Sequence, residues 1–311
     1  MESLEDAKMK DLRQSQEWAG FLKSLGWISE KISNNFIYIK VLPFGSLIKI
    51  QRAQSLTAQF LSGVDEIAKK YHALFVKIEP AIILSDAKAE EALKILKEWG
   101  YIKNNFPLTS PATVRIDLTQ STDKLWHELS KDAKYAVKRA EKEAVIIEKH
   151  KNPQRDVIGL CQKIIEQAGK ERKYHYPSLG EFIKRMSAFG DRAILYFAKI
   201  DDQIISINEV LTTNKSGFYT QSATTKIGRR TYSNYFLLWK IIEDLAQNGL
   251  DCLDLDGVND ERFPKYTDAW AGFSYFKRKF GGEEIKFLPP FLKYYNPTLE
   301  KMGKLLGQLP L

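Results

Sequence analysis

The chain has 311 residues, of which 44% are hydrophobic and 28% are charged, so it can build a packed core and is not a disordered chain. Its 47 basic and 39 acidic residues give a formal net charge of +8, which permits an anionic partner without requiring one. Two cysteines and four scattered histidines exclude a disulfide scaffold and a cysteine-rich metal site. Neither a metal ion nor a cofactor is therefore expected.

The first six residues include three acidic side chains and lack the basic start and the apolar run of a signal peptide. No segment approaches the roughly 20 consecutive apolar residues that a membrane-spanning helix requires. We therefore expect a cytoplasmic protein, and contact with a membrane surface is left open.

Helical and strand-like segments alternate along the chain, which indicates a mixed α/β fold. In the first half the patterns predict a helix near 18–25, strands at 36–41 and 45–51, a helix through 67–68, a strand at 73–78, a helix at 90–99 and a strand at 113–118. The next predicted helix, 123–143, carries Lys131, Lys134, Lys138 and Lys142 on one face. We interpret this helix as a link between two halves.

The order of elements then repeats. The patterns predict a strand at 145–148, helices at 156–169 and 178–189, strands at 193–199, 203–212 and 217–222, a helix at 234–248, a strand at 252–256, a helix at 272–280, a strand at 285–288 and a short helix at 299–306. The repetition indicates an internal duplication. We predict one domain at 1–143 and a second at 144–289, and completion of the first by 290–311 is left open.

The order of elements in the second half is typical of the GNAT fold of acetyltransferases. In that fold an Arg/Gln-x-x-Gly-x-Gly/Ala loop before the central helix binds the pyrophosphate of coenzyme A through backbone N–H groups. The corresponding segment here, 225–230, keeps only Gly228, and Arg230 stands where a small residue is needed. The sequence therefore suggests the fold and disfavours coenzyme A as a ligand. The alternative interpretation of this segment is a basic surface loop.

Several segments together resemble the FemA/FemB/FemX family. The most specific is Phe-Lys-x-x-Phe-Gly-Gly at 276–282, which follows Asp-x-x-Gly at 254–257. Further similar segments are 16–18, 42–46, 77–80, 113–118, 134–140 and 233–240. The resemblance covers nearly the whole chain, and the lack of a coiled-coil arm makes it closer to FemX than to FemA or FemB.

The resemblance implies two tandem GNAT-like domains and an aminoacyltransferase of cell wall biogenesis. Such an enzyme moves an amino acid from aminoacyl-tRNA to an amine of a peptidoglycan precursor peptide, either UDP-MurNAc-pentapeptide or the lipid-linked form, lipid II. Two other functions stay open. One is a GNAT-type N-acyltransferase with another activated acyl donor, and the other is a tRNA- or precursor-binding module without catalysis.

Aminoacyl-tRNA is an activated ester, so its reaction needs an aligned amine and a stabilised oxyanion rather than a nucleophilic side chain. A fixed cation meets this need, and Lys277 matches the family lysine for that catalytic role. Gly281 and Gly282 are interpreted as leaving room for a substrate end. The alternative for Lys277 is a lysine on a helix surface.

The acceptor pyrophosphate calls for lysine or arginine. Lys40, Lys49 and Arg52 surround the loop at 42–46 and are the candidates, of which Lys40 is preferred, with solvated strand ends as the alternative. Asp117 ends a strand and can hold a substrate hydroxyl or amine, although a cap on the next helix is the favoured interpretation.

Three further candidates for substrate binding lie in the second half. Tyr219 and Tyr235 can stack on a substrate, but aromatic residues at such spacings are more often part of a core. Asp254 matches a family position and can instead give structural support, either by orienting Lys277 or by pairing with an arginine.

The tRNA phosphates are assigned to basic side chains of the lysine face and of the loop before the central helix. These residues are Lys134, Lys138, Arg229 and Arg230. The alternative is an ordinary solvated surface.

Overall fold

The computed structural model describes residues 10–172 and 177–305, which form two compact units. The six-stranded unit contains Arg13–Thr113, Gly257–Gly272 and 285–305, and the seven-stranded unit contains 10–12, Val114–Asp256 and Phe273–Glu284. This division differs from the predicted boundary at residues 143 and 144, which stays a prediction. The predicted first domain includes 1–9 and 306–311, which lie outside the described residues.

The described chain alternates helices and strands, and the expected mixed α/β fold is confirmed. Its first part forms α1 (Gln16–Ser24), β1 (Ile28–Ile32), β2 (Asn35–Leu42), β3 (Gly45–Ala53), α2 (Ala58–Lys70), β4 (Ala73–Pro80), α3 (Ala89–Glu98), β5 (Ile102–Lys103), β6 (Ala112–Asp117), α4 (Thr122–Glu128) and α5 (Lys131–Lys142). Its second part forms β7 (Ile146–Lys151), α6 (Arg155–Arg172), α7 (Leu179–Phe189), β8 (Ala193–Ile200), β9 (Gln203–Thr212), β10 (Ser216–Thr224), α8 (Lys226–Arg230), α9 (Ser233–Gln247), β11 (Cys252–Gly257), α10 (Pro264–Thr267), α11 (Ala271–Arg278), β12 (Glu283–Lys286), β13 (Phe291–Tyr294) and α12 (Pro297–Leu305).

The predicted helix at 123–143 is in fact two helices, α4 and α5. Leu129 adopts an extended backbone, and Ser130 then begins α5 by accepting a hydrogen bond from the Ala133 N–H at 3.1 Å. A serine N-cap satisfies a backbone donor that would otherwise lack a partner at the start of a helix. The periodicity of the apolar residues continues through the break, so it could not reveal the interruption.

In the six-stranded unit the strand order within the described residues is β1-β2-β3-β4-β13-β5. Strand β13 pairs with β4, so part of the segment 290–311 completes this sheet. One face of the sheet presents buried aliphatic residues to α2, which begins at the Thr57 cap and buries Phe60, Leu61 and Val64. These residues recur at helical spacing, so α2 turns one apolar face to the sheet.

In the seven-stranded unit the described strands follow the order β12-β6-β11-β10-β9-β8-β7. The parallel pair β10 and β11 is in register only from Ser216 with Cys252 to Phe218 with Asp254. Directly after this stretch, the pairing of β10 with β9 shifts by a bulge between Tyr219 and Gln221. A bulge bends its strand, so β10 and β11 diverge at this point of the sheet.

Candidate active site

Lys277 lies in the last turn of α11 and is only 7% exposed. Its Nζ lies 5.8 Å from the ring centre of Tyr219 and 5.0 Å from that of Phe273. Burial lowers the pKa of Lys277 to about 8, and the nearby charges of Asp256 and Asp254 partly oppose this shift. The side chain is therefore a buried ammonium that remains mostly charged at pH 7, not a lysine on a helix surface.

The surroundings of Lys277 come from both diverging strands. Tyr219 stands at the bulge of β10, and Asp254 is the last residue of β11 that pairs with β10. The ammonium thus has an aromatic face on one strand and carboxylates on the other, and both kinds of group favour a cation.

Asp254 is 5% exposed and is held from two sides. Its Oδ2 lies 3.1 Å from Nε of Arg115, and its Oδ1 accepts a hydrogen bond of 2.8 Å from the N–H of Asp256. Asp256 has a φ of +55°, a conformation that a residue with a side chain rarely adopts. Asp254 therefore acts on the charge of Lys277 and pairs with Arg115, as in its structural interpretation, and its assignment to substrate binding stays a prediction. The sequence did not single out Arg115 or Asp256 as part of this site.

Tyr219 is buried, and its hydroxyl donates a hydrogen bond of 2.8 Å to Oδ1 of Asn208 on β9. Burial raises the pKa of Tyr219 to about 12, so the phenol stays neutral. Asn208 is fully buried, and its Nδ2 has no hydrogen-bond partner within the described part of the chain. Sequence reasoning missed Asn208, although an Asn-Glu pair in the middle of an apolar strand is a detectable signal.

Glu209, the residue after Asn208, belongs to a cluster of polar side chains that holds the bulge of β10 in place. Glu209 is fully buried and forms a bidentate ion pair with Arg185 of α7. Nε and Nη2 of Arg185 donate to Oε1 and Oε2 of Glu209 at 2.9 and 2.6 Å. Arg185 also donates to Oε1 of Gln221 at 3.1 Å. Because Gln221 is the first paired residue after the bulge, this cluster stabilises the bend that places Tyr219 beside Lys277.

Tyr235 lies in the first turn of α9, and its ring contacts an aromatic residue of α11. Its ring centre is 4.8 Å from that of Phe276 and 5.8 Å from that of Phe280. These two residues flank Lys277 in the chain, so Tyr235 supports the segment that carries the lysine.

Asp117 ends β6 and is exposed, and its Oδ1 accepts hydrogen bonds from the N–H and hydroxyl of Thr119 at 3.0 and 2.6 Å. These bonds, led by that of the hydroxyl, lower the pKa of Asp117. The interpretation of Asp117 as a helix cap is wrong, because Ser121 caps α4. Asp117 instead lines a cavity of about 440 Å³ that Arg115 and three other carboxylates also line.

Lys40 and Arg52 lie in the six-stranded unit and have structural partners there. Nζ of Lys40 donates to the carbonyl oxygens of Leu25 and Gly26 at 2.9 and 3.3 Å, at the end of α1. Arg52 is 3% exposed, donates to the Ser110 carbonyl, and stacks on a phenyl ring 3.6 Å from the guanidinium carbon. Their assignment to an acceptor stays a prediction.

Two other lysines of this unit are neighbours across β3 and β4. Lys49 and Lys77 are in register, and burial lowers the pKa of each to about 8, against a smaller opposite effect of Glu79. Alternation along the strands puts both lysines on the sheet face that also carries Lys40. The sequence did not reveal that Lys77 is buried, since a lysine in a strand usually faces water.

Of the four residues predicted to bind tRNA phosphates, two donate hydrogen bonds to backbone carbonyl groups of this chain and two are exposed to solvent. Lys134 donates to the His127 carbonyl at 2.9 Å, and Arg229 donates to the Thr224 carbonyl at 2.7 Å. Lys138 and Arg230 are exposed. The exposed pair is therefore better placed to meet phosphates than the other two.

Gly228 lies within α8, which occupies the segment compared above with a pyrophosphate loop. Its N–H donates to the Thr225 hydroxyl at 3.2 Å, and a Cβ at this position would collide with the Ile205 carbonyl oxygen. The glycine thus allows α8 to pack closely on β9. Its N–H is already bonded within the chain.

We expect acetyl-CoA not to bind measurably, because the segment at 225–230 forms a helix around Gly228 instead of an open anion-binding loop. Isothermal titration calorimetry of the full chain with acetyl-CoA checks this expectation. A micromolar affinity would contradict it and would favour the acyltransferase with a CoA-linked donor.

The interpretation that Gly281 and Gly282 leave room for a substrate end stays a prediction, and Gly282 lines the cavity described above. Both residues have positive φ, +76° and +80°. A Cβ on Gly282 would collide with the Arg115 carbonyl oxygen, and one on Gly281 would lie 2.9 Å from Cβ of Glu128. The two glycines therefore serve a tight turn against β6 and α4.

No helix in the described ranges is long and apolar enough to cross a membrane. Among the same residues, no group of three or more histidine, cysteine, aspartate or glutamate side chains could hold a metal ion.

The two sheets and the order of their elements are those of tandem GNAT-like domains. The FemAB family model matches residues 4–216, more than half of the chain, and the chain belongs to the FemAB family. No curated protein sequence matches it.

Solved structures with similar folds have low sequence identity to this chain. The crystal structure of FemX has a TM-score of 0.81 with 15% identity, over 94% of each chain. The C-terminal domain of a putative lysylphosphatidylglycerol synthetase from Agrobacterium fabrum has a TM-score of 0.62 with 14% identity, over 94% of this chain and 92% of that one. A tandem GNAT protein from the clavulanic acid biosynthesis pathway has a TM-score of 0.55 with 8% identity, over 85% and 79%. At these identities the likeness shows the fold alone, and it confirms the expected two GNAT-like domains.

Proposed function

We propose that this protein transfers an aminoacyl group from aminoacyl-tRNA to an amine of a peptidoglycan precursor peptide. The observation that carries the proposal is the buried ammonium of Lys277 within the Phe-Lys-x-x-Phe-Gly-Gly segment. Membership of the FemAB family supports it. Because aminoacyl-tRNA is a cytoplasmic molecule, the proposal places the protein in the cytoplasm, and a lipid II acceptor would bring it to the membrane surface.

In the proposed reaction the acceptor amine attacks the carbonyl carbon of the aminoacyl ester. A C–N bond forms and the C–O bond to the ribose breaks, while the amine loses one proton and the ribose oxygen gains one. The tetrahedral intermediate carries an oxyanion, which the Lys277 ammonium stabilises. In its buried surroundings the charge acts more strongly than it would in water. No nucleophilic side chain is needed, because the ester is already activated.

The neighbours of Lys277 keep its ammonium in place before substrate binds. Tyr219 and Phe273 offer ring faces, and Asp254 and Asp256 offer negative charge on the other strand. A charge held in advance requires no reorganisation at the moment of reaction. The buried amide of Asn208 adds a donor, Nδ2, that can bind a carbonyl oxygen of the substrate.

The acceptor pyrophosphate is assigned to the six-stranded unit. Lys40 and Lys49 are candidates from the sequence, and Lys77 adds a third cation to the same sheet face. Arg52 is less suited to this role because its guanidinium is buried against a phenyl ring.

One assay tests the proposed function. The protein is incubated with a pool of tRNAs charged with isotopically labelled amino acids and with either UDP-MurNAc-pentapeptide or lipid II. Mass spectrometry should show a gain of one aminoacyl residue on the acceptor peptide. Acetyl-CoA in place of the charged tRNA is the matched control and should give no product. Acetylation of the peptide without aminoacyl transfer would contradict the proposal and would favour the N-acyltransferase.

A further inference from the structure

A row of aromatic rings runs from the surface of the seven-stranded unit to the helix that carries Lys277. The ring centre of Tyr135 lies 6.1 Å from that of Tyr232, which lies 6.4 Å from that of Tyr235. Tyr235 in turn contacts Phe276, the residue before Lys277, at 4.8 Å. Tyr135 is 60% exposed and Tyr232 is 38% exposed. We call Tyr135, Tyr232 and Tyr235 the tyrosine ladder.

The backbone of Tyr232 is in an unusual conformation for a tyrosine. It has φ +55° and ψ +22°, in the left-handed region, and it precedes α9 without a side-chain cap hydrogen bond. This conformation costs about 1 kcal/mol for a residue with a Cβ, and glycine or asparagine adopts it more easily. The ring of Tyr232 is partly exposed, so core packing does not explain the choice of tyrosine. Strain of this kind is typical of a functional position.

The charges around the ladder are mainly positive. Helix α8, which ends just before Tyr232, contains three basic residues and no acidic one. Helix α5, which carries Tyr135, has five basic residues against Asp132 and Glu141. Lys138 and Arg230 are exposed. Exposed aromatic rings among cations match a single-stranded nucleic acid, whose unpaired bases stack while its phosphates attract the cations.

We propose that the tyrosine ladder binds the single-stranded end of an RNA, with unpaired bases stacked on Tyr135 and Tyr232 and phosphates near Lys138 and Arg230. The inference rests on the proposed function, because the bound end would be the one that carries the aminoacyl ester. The ladder ends at Phe276, so a strand that follows it leads towards Lys277. Because only unpaired bases can stack on these rings, we expect the ladder to bind a single-stranded end more tightly than a duplex.

The test measures RNA binding alone, without acceptor and without catalysis. The probe is a fluorescein-labelled single-stranded RNA of twelve nucleotides that ends in CCA. Fluorescence anisotropy measures its binding to the protein. Replacement of Tyr135 or Tyr232 by leucine should each raise Kd by about tenfold, the loss typical of one stacked base. Replacement by phenylalanine keeps the ring and should leave Kd nearly unchanged. Tyr266→Leu removes a tyrosine of similar exposure from the six-stranded unit and is the matched control.

Salt dependence separates stacking from charge. The tyrosine variants should keep the slope of log K against log salt, whereas Lys138→Gln should flatten it by about 0.7 for one lost phosphate contact. Equal weakening of a duplex RNA by the tyrosine variants would overturn the ladder, because a duplex offers no unpaired bases. Unchanged Kd in both folded leucine variants would also overturn it. In that case, transfer from aminoacyl-tRNA in the separate assay would still support the proposed function. Because Tyr135 is largely exposed, its leucine variant keeps the test valid if the Tyr232 variant fails to fold.

Discussion

Replacement of Lys277 by methionine is expected to lower turnover by about 10²–10³, the loss typical of one oxyanion-stabilising group. Methionine keeps an apolar stem in the buried site and removes only the charge. The fold should persist, because a buried charge costs free energy that an apolar side chain does not. KM for the acceptor should barely change, since its pyrophosphate is assigned to the six-stranded unit. Single-turnover kinetics with charged tRNA measure the effect on the chemical step.

Lys279→Met is the matched control for this prediction. Lys279 lies two residues further along the chain, and its ammonium pairs with Asp132 at 2.5 Å. At saturating donor its replacement should leave turnover near normal. Near-normal turnover of a folded Lys277→Met protein would contradict the catalytic role of Lys277. An aminoacylated enzyme trapped in mass spectrometry would contradict direct attack by the acceptor amine, which forms no covalent enzyme intermediate.

Turnover is expected to fall as the pH rises above about 8, because burial lowers the pKa of Lys277 to about 8. Below this pH the ammonium is charged and stabilises the oxyanion, and above it the amine is neutral. The acceptor amine must itself lose its proton to attack, so the profile should be bell-shaped. Its basic limb should approach a tenfold loss of turnover per pH unit. The pH dependence of kcat in the wild-type protein measures this limb.

The free energy of unfolding provides the control for this pH profile. The folded protein holds the proton of Lys277 less tightly than the unfolded chain, whose lysine keeps the ordinary value of 10.5. The unfolded state therefore binds more protons between about pH 8 and 10.5, and this residue makes stability rise with pH in that window. A free energy of unfolding that stays well above zero throughout this window, measured by urea denaturation at each pH, excludes unfolding as the cause of the lost activity. A basic limb that persists unchanged in Lys277→Met would assign it to another group.

The sequence by itself determined the kinds of elements and their order. Alternating apolar residues report which face of a strand is buried, and helical spacing does the same for α2 and α9, so these elements could be predicted locally. The Phe-Lys-x-x-Phe-Gly-Gly segment indicated the family and made Lys277 the catalytic candidate without a structure. A lysine in a sequence, however, carries no information about its burial or its pKa.

The environment of Lys277 was decided only by tertiary structure, because it depends on residues that are distant in the chain. Arg115 and Asp254 are 139 positions apart, and their ion pair follows from the placement of β6 beside β11 in the sheet. The bulge at Tyr219 depends on the pairing of β10 with β9, which no local period records. The same holds for Gly228, which the sequence compared with a ligand-binding glycine and which instead packs against the backbone of β9. Local patterns describe which side of each element is apolar, but only the assembled sheet determines which polar groups meet there and how far burial changes their charge.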